Sequence, residues 1–147
     1  MTRRGAIQLS VERRIRAPSQ RLWEIVSDHE GMPSWFPSRE VVRRRPGAPD
    51  ANGVGAIRVV RSLGLAVEER VTAFKPRERL EYALTEGAPF SEYRGELTLA
   101  PCDDGTLVRW SVRLRPLIPG SGWILARVVA RQLRRGLEGL AQRVEPS

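Results

Sequence analysis

Residues 54–74 read VGAIRVVRSLGLAVEERVTAF, two runs rich in β-branched residues on either side of Leu63-Gly64. Val, Ile and Thr fit the pleated surface of a strand, and a two-residue link containing glycine suits the tight turn of a β-hairpin. With Leu63-Gly64 as that turn, strands over 54–62 and 65–74 pair so that Ser62 stands opposite Leu65, Val60 opposite Val67 and Arg58 opposite Glu69. One face then carries Ala56, Arg58 and Val60 beside Val67, Glu69 and Val71. The other carries Ile57, Val59 and Arg61 beside Ala66, Glu68 and Arg70. The face holding Val60, Val67, Val71 and Ala73 is the expected interior, which turns Arg58 and Glu69 inward as a facing pair.

Working outward, the same period of two recurs. Lys75-Pro76-Arg77-Glu78 turns the chain into a strand over 79–85 with Leu80, Tyr82 and Leu84 alternating. Glu86-Gly87-Ala88-Pro89 turns it again into 90–100, where Tyr93, Gly95, Leu97 and Leu99 share a side. Asp103-Asp104-Gly105 leads into 106–114, with Val108, Trp110, Val112 and Leu114 alternating. Upstream, Val41-Val42-Arg43-Arg44-Arg45 is a short strand stopped by the prolines and glycine of 46–49. At the start, Ile7, Leu9, Val11 and Ile15 share a face with Arg13, the pattern of a half-buried strand.

Two stretches break the period. Residues 20–26 place apolar side chains at 22, 23, 25 and 26, a short helix begun at Pro18 or Ser19; residues 28–37, carrying His29, Trp35 and Phe36, form a loop or broken helix. From Ser121 to Val144 the period is helical: Ala126, Val129, Leu133, Gly136, Leu137, Leu140 and Val144 fall on one stripe, and Arg127, Arg131, Arg134, Arg135 and Glu138 fall opposite. The sequence therefore predicts one α+β domain over 1–147. In it, a seven-stranded curved antiparallel sheet receives a long C-terminal helix, and two short helices follow the first strand.

Composition narrows the function classes. Lys75 is the only lysine among 25 basic residues, and the formal net charge is +8. Either the arginines recognise phosphate, or they reflect a codon bias that puts arginine wherever a cation is wanted. Cys102 is alone, so one chain has neither a disulfide framework nor a cysteine-rich metal site. The basic start, Met1-Thr2-Arg3-Arg4-Gly5-Ala6, runs into an alternating strand and not an apolar stretch, so no secretory signal is expected. No apolar run approaches the ~20 residues of a membrane-spanning helix. A cytoplasmic protein is the expectation, monomeric or homodimeric.

Several short stretches carry a family likeness: Ala17-Pro18 before Leu22-Trp23, Asp28 with Trp35-Phe36-Pro37, and Gly53-Val54-Gly55-Ala56-Ile57-Arg58. It continues with Glu69-Arg70-Val71, Leu80-Glu81-Tyr82, Tyr93-Arg94-Gly95, residues 105–110 and Gly136-Leu137. In this order and spacing, over roughly 6–144, the sequence resembles the SRPBCC superfamily of START and pollen-allergen-like helix-grip domains, and within it the bacterial polyketide cyclase/dehydrase family. The resemblance implies a sheet curled around the C-terminal helix and a cavity for hydrophobic or polyketide-like molecules. It does not imply one reaction, because the same fold serves carriers, receptors and cyclases.

Arg58 and Glu69 are the sharpest constellation. An inward guanidinium paired with a carboxylate is a polar anchor for a ligand carbonyl, enolate or carboxylate, or else an ion pair that only braces two strands. Tyr82, Tyr93 and Trp110 point inward by alternation, to line a pocket or to fill a core. By the family likeness, Trp35 and Phe36 sit in the loop over the cavity mouth, and Leu133 faces the cavity from the helix. His29, between Asp28 and Glu30, reads as a solvated loop histidine.

With one histidine and one cysteine, a metal site of nitrogen and sulfur ligands is not expected, nor is any cofactor. Gly53-x-Gly55 opens a strand and lacks the third glycine of a dinucleotide loop. The arginines of 43–45 and of the last helix read as a solvated face; no helix-turn-helix, zinc finger or RNA-binding motif supports specific nucleic-acid binding. An anionic membrane surface is a possible peripheral partner. Three functions stay open: enclosure of a hydrophobic lipid, aromatic or polyketide-like molecule between sheet and helix; aldol ring closure and dehydration of a polyketide; or a basic module that binds nucleic acid or a membrane.

Overall fold

The computed structural model describes residues 6–87 and 89–145; residues 1–5, Ala88 of the expected 86–89 turn, and Pro146 and Ser147 lie outside the described residues. Alternating residues pair into β1 (Ile7–Ile15), β2 (Glu40–Arg45), β3 (Ile57–Ser62), β4 (Leu65–Lys75), β5 (Arg79–Glu86), β6 (Phe90–Cys102) and β7 (Gly105–Pro116). They form one antiparallel sheet in the order β1-β7-β6-β5-β4-β3-β2. Helix α1 (Ser19–Val26) and a single 3-10 turn, Met32–Ser34, connect β1 to β2; helix α2 (Gly122–Val144) closes the chain. This is the seven-stranded α+β helix-grip arrangement expected from the sequence.

The β3–β4 register is the expected one, with Ser62 opposite Leu65 and Arg58 opposite Glu69. Two details differ. Strand β3 begins at Ile57 and not at Val54, because Gly55 takes φ +91°, a left-handed conformation that only glycine adopts without strain. The second difference is a bulge in β4 between Val71 and Ala73. It shifts the pleat by one residue, so Phe74 turns inward opposite Leu80 and meets Trp23 edge-on at 5.0 Å between ring centroids. Ala73, expected inside, instead pairs with Glu81 on the outer face.

Helix α2 spans 23 residues, about 35 Å at 1.5 Å per residue, and lies in the concave face. Its buried side chains are Val129, Leu133, Leu137, Leu140 and Ala141. Each buried leucine contributes roughly 1.5–3 kcal/mol, so the stripe alone holds the helix in place. Arg127, Arg131, Arg134 and Arg135 face outward and are exposed. No helix among the described residues is long and apolar enough to cross a membrane.

Candidate functional site

Between the concave face and the first half of α2 lies a cavity of about 120 Å³. Seven of the eight residues singled out in the sequence line it: Phe36, Arg58, Glu69, Tyr82, Tyr93, Trp110 and Leu133. Trp35 does not. Its ring sits behind the wall, 5.7 Å from Trp110 and 6.0 Å from Phe36, as a buried core side chain. The rest of the lining is mostly apolar, including Val60, Val67, Phe90 and Val129.

One wall is polar. Arg58 is 3% exposed and Glu69 6%, and Nε of the guanidinium donates to Oε1 of Glu69 at 2.9 Å. The centre of the guanidinium lies 4.7 Å from the centroid of the Tyr82 ring, an arrangement in which the ring's quadrupole favours the cation. Burial pushes the Glu69 carboxyl above the usual carboxylate range, against the opposing pull of Arg58. Breaking such a pair on one side leaves an uncompensated charge in an apolar wall, which is strongly destabilising.

A third member of the cluster is not evident from the sequence. His29 is fully buried, not solvated: Arg58 Nη1 lies 3.1 Å from its Nδ1, and its Nε2 lies 2.8 Å from the Asn52 carbonyl oxygen. A guanidinium can only donate, so Nδ1 accepts, and Nε2 carries the hydrogen given to Asn52. The imidazole is therefore neutral. Burial, with the Arg58 charge beside it, lowers its pKa to about 3. His29 and Glu69 thus fix the plane of Arg58 from two sides, using Nε and one Nη1 hydrogen of its five donors.

Tyr82 and Tyr93 stack at 6.1 Å, and the Trp110 indole N–H donates to the Tyr82 hydroxyl at 2.9 Å. Burial raises both phenol pKa values, so both hydroxyls stay protonated. The Tyr82 ring occupies space that a side chain on Gly95 of β6 would need. That is why a glycine stands opposite Tyr82 in the register.

Elsewhere the candidates disperse. Within the 43–45 run, Arg43 donates to Asn52 Oδ1 at 2.8 Å and Arg44 pairs with Glu68 at 3.0 Å. Hydrogen bonds from Thr85 and then Arg44 hold the Glu68 carboxyl below its usual range. Among the described residues no group of three metal-ligating side chains converges, and Cys102 is a half-buried free thiol.

Comparison with known proteins adds a family and a set of folds. The family model described as polyketide cyclase/dehydrase and lipid transport matches residues 6–145. Among solved structures, a START superfamily protein from Mycobacterium smegmatis superposes with a TM-score of 0.79 at 18% identity, covering 95% of this chain and 97% of that one. A solution structure from Thermobifida fusca gives 0.74 at 26% identity, over 95% and 92%. Ara h 8.0201 gives 0.74 at 15% identity, over 95% and 98%. No curated protein matches the chain.

Proposed function

The chain belongs to the polyketide cyclase/dehydrase and lipid transport family, and from that premise we propose that it encloses a small apolar molecule whose one polar group is a neutral hydrogen-bond acceptor held by Arg58. The carrying observation is the guanidinium fixed by Glu69 and His29 on the wall of an otherwise apolar cavity. The charge of Arg58 is already balanced by Glu69, while His29 and both tyrosines are neutral. A ligand carboxylate would add an unbalanced buried charge, which is costly; a carbonyl takes a free Arg58 donor without it. Stacked Tyr82 and Tyr93 favour a flat ring.

Size sharpens the reading. The cavity of about 120 Å³ is somewhat smaller than the ~150 Å³ apolar cavity that takes up one benzene, so it encloses no more than one ring, and any substituent on that ring reaches toward the mouth. A longer acyl or polyketide chain would leave through the mouth between Leu63 and Val128. A cytoplasmic setting fits the free Cys102 thiol.

The test is thermal shift and calorimetric titration with acetophenone and with benzoate. Acetophenone at 100 times its dissociation constant should stabilise the fold by about 2.7 kcal/mol. Arg58→Lys, which keeps the charge but loses the fork, should remove most of that gain. Equal binding of benzoate, or no shift with any neutral ring ketone, overturns the reading.

Ring closure is the second reading, favoured by Glu69. A carboxylate whose pKa is raised by burial is a better general base than a solvated one, and Arg58 would stabilise the developing enolate. Product formation from a poly-β-ketone substrate that survives Glu69→Gln would exclude it.

A further inference from the structure

Around the cavity mouth the strand ends leave an apolar rim that enclosure of a ligand does not require. Four segments meet at this end: the β3–β4 hairpin tip, the turn before β6, the loop after β7 and the first turns of α2. Leu63 at the hairpin tip is 67% exposed and Trp123 in the first turn of α2 is 66% exposed, with Leu117, Ile118, Ile124 and Val128 also in solvent. The segments are joined to one another. Leu63, Pro89 and Val128 line the same cavity, the Leu117 N–H donates to the Pro89 carbonyl at 2.8 Å, and Gln132 donates to Ser62 at 3.1 Å. Apolar surface gathered in this way around an opening marks a site of association.

Charge indicates with what. Arg127 and Arg131 follow Trp123 at successive intervals of four, so the three stand in one row along α2. Both arginines are exposed and neither has an ion pair among the described residues. A symmetric contact between two copies would bring these rows together as like charges. An anionic surface accepts them, and an indole beside arginine is the pairing found where a helix meets lipid headgroups.

We infer that this rim docks on an anionic lipid bilayer. Trp123, Ile124 and the tips at Leu63 and Leu117-Ile118 enter the headgroup boundary, and Arg127 and Arg131 lie against lipid phosphates. The cavity mouth then opens onto the acyl region, giving an apolar ligand a path that avoids water. Docking is read without any ligand, so it stands or falls separately from the choice of molecule inside.

The experiment is flotation of the whole protein with vesicles of phosphatidylcholine alone or mixed with phosphatidylglycerol, together with quenching by brominated acyl chains. Trp23, Trp35 and Trp110 are buried, so acyl quenching reports Trp123. Co-flotation with the anionic vesicles only, and quenching that Trp123→Phe abolishes, are expected. Each basic group beside such a surface is worth about fivefold in partition, so Arg127→Gln with Arg131→Gln should weaken binding about 25-fold. Trp123→Ser should weaken it further while leaving the melting temperature unchanged. Absence of binding to anionic vesicles, or binding without quenching, overturns the inference. So does a dimer in sedimentation velocity that Trp123→Ser dissolves while vesicles are ignored.

Discussion

Acid should destabilise this protein through His29 before its carboxylates respond. In the folded chain His29 stays neutral down to about pH 3, held so by burial and by Arg58, against an ordinary value of 6.5. The unfolded chain therefore takes up a proton that the folded one refuses. Stability from this group is complete above about pH 6.5 and is lost as the pH falls toward about 3, at 1.36 kcal/mol per unit. From pH 7.5 to 5 the loss is about 2 kcal/mol. Glu69 works in the opposite sense, since its raised pKa lets the folded state bind a proton first, so its contribution grows as the pH falls. Comparison with His29→Gln isolates the histidine: its side chain keeps an acceptor and a donor but does not titrate. Urea unfolding of both proteins at pH 7.5, 6 and 5 should show the wild type losing about 2 kcal/mol more than the variant. Parallel pH profiles, or an NMR titration of His29 with a midpoint near 6.5, would refute the buried neutral histidine.

The buried pair makes a related prediction. Glu69→Leu alone should cost about 3–5 kcal/mol in urea unfolding by stranding Arg58, and adding Arg58→Leu should restore about 2 kcal/mol of it. What remains is the roughly 1–3 kcal/mol of a His29 Nδ1 left without its donor; a double variant no better than the single would sink the pairing argument. Gly95→Ala should drive a methyl into the Tyr82 ring, costing about 1–3 kcal/mol and altering the near-ultraviolet circular dichroism of the Tyr82–Trp110 contact. Val129→Phe should fill the cavity from α2, abolishing any acetophenone shift with at most about 3 kcal/mol of folding penalty. A ligand response that survives it would place binding elsewhere.

The reach of the sequence follows from how far each signal is local. A two-residue turn fixes a register, and the register fixes which side chains face each other, so Arg58 opposite Glu69 was readable from Leu63-Gly64 alone. The stripe of α2 was readable for the same reason, since helical period depends on neighbours three and four residues away. The β4 bulge was not. It moves Phe74 onto Trp23, a partner 51 residues earlier whose ring gives no mark on the strand's own alternation.

His29 shows the harder case. Its flanks, Asp28 and Glu30, are those of a solvated loop, and its burial is decided by Asn52 and Arg58, on a loop and a strand much later in the chain. The available clue lay in Arg58 itself. A buried guanidinium has five donors and one facing carboxylate cannot take them all, so a second inward acceptor was required once the hairpin had turned Arg58 inside. The one histidine, in a loop between the first strand and its neighbours, is one of the side chains that can accept without adding charge. Among 24 arginines, then, the register separates the anchor from the coat: outer-face partners such as Glu40 and Glu12 stay in water, where ion pairs contribute little, and among the described residues Arg58 is the arginine whose ion pair is buried on both sides.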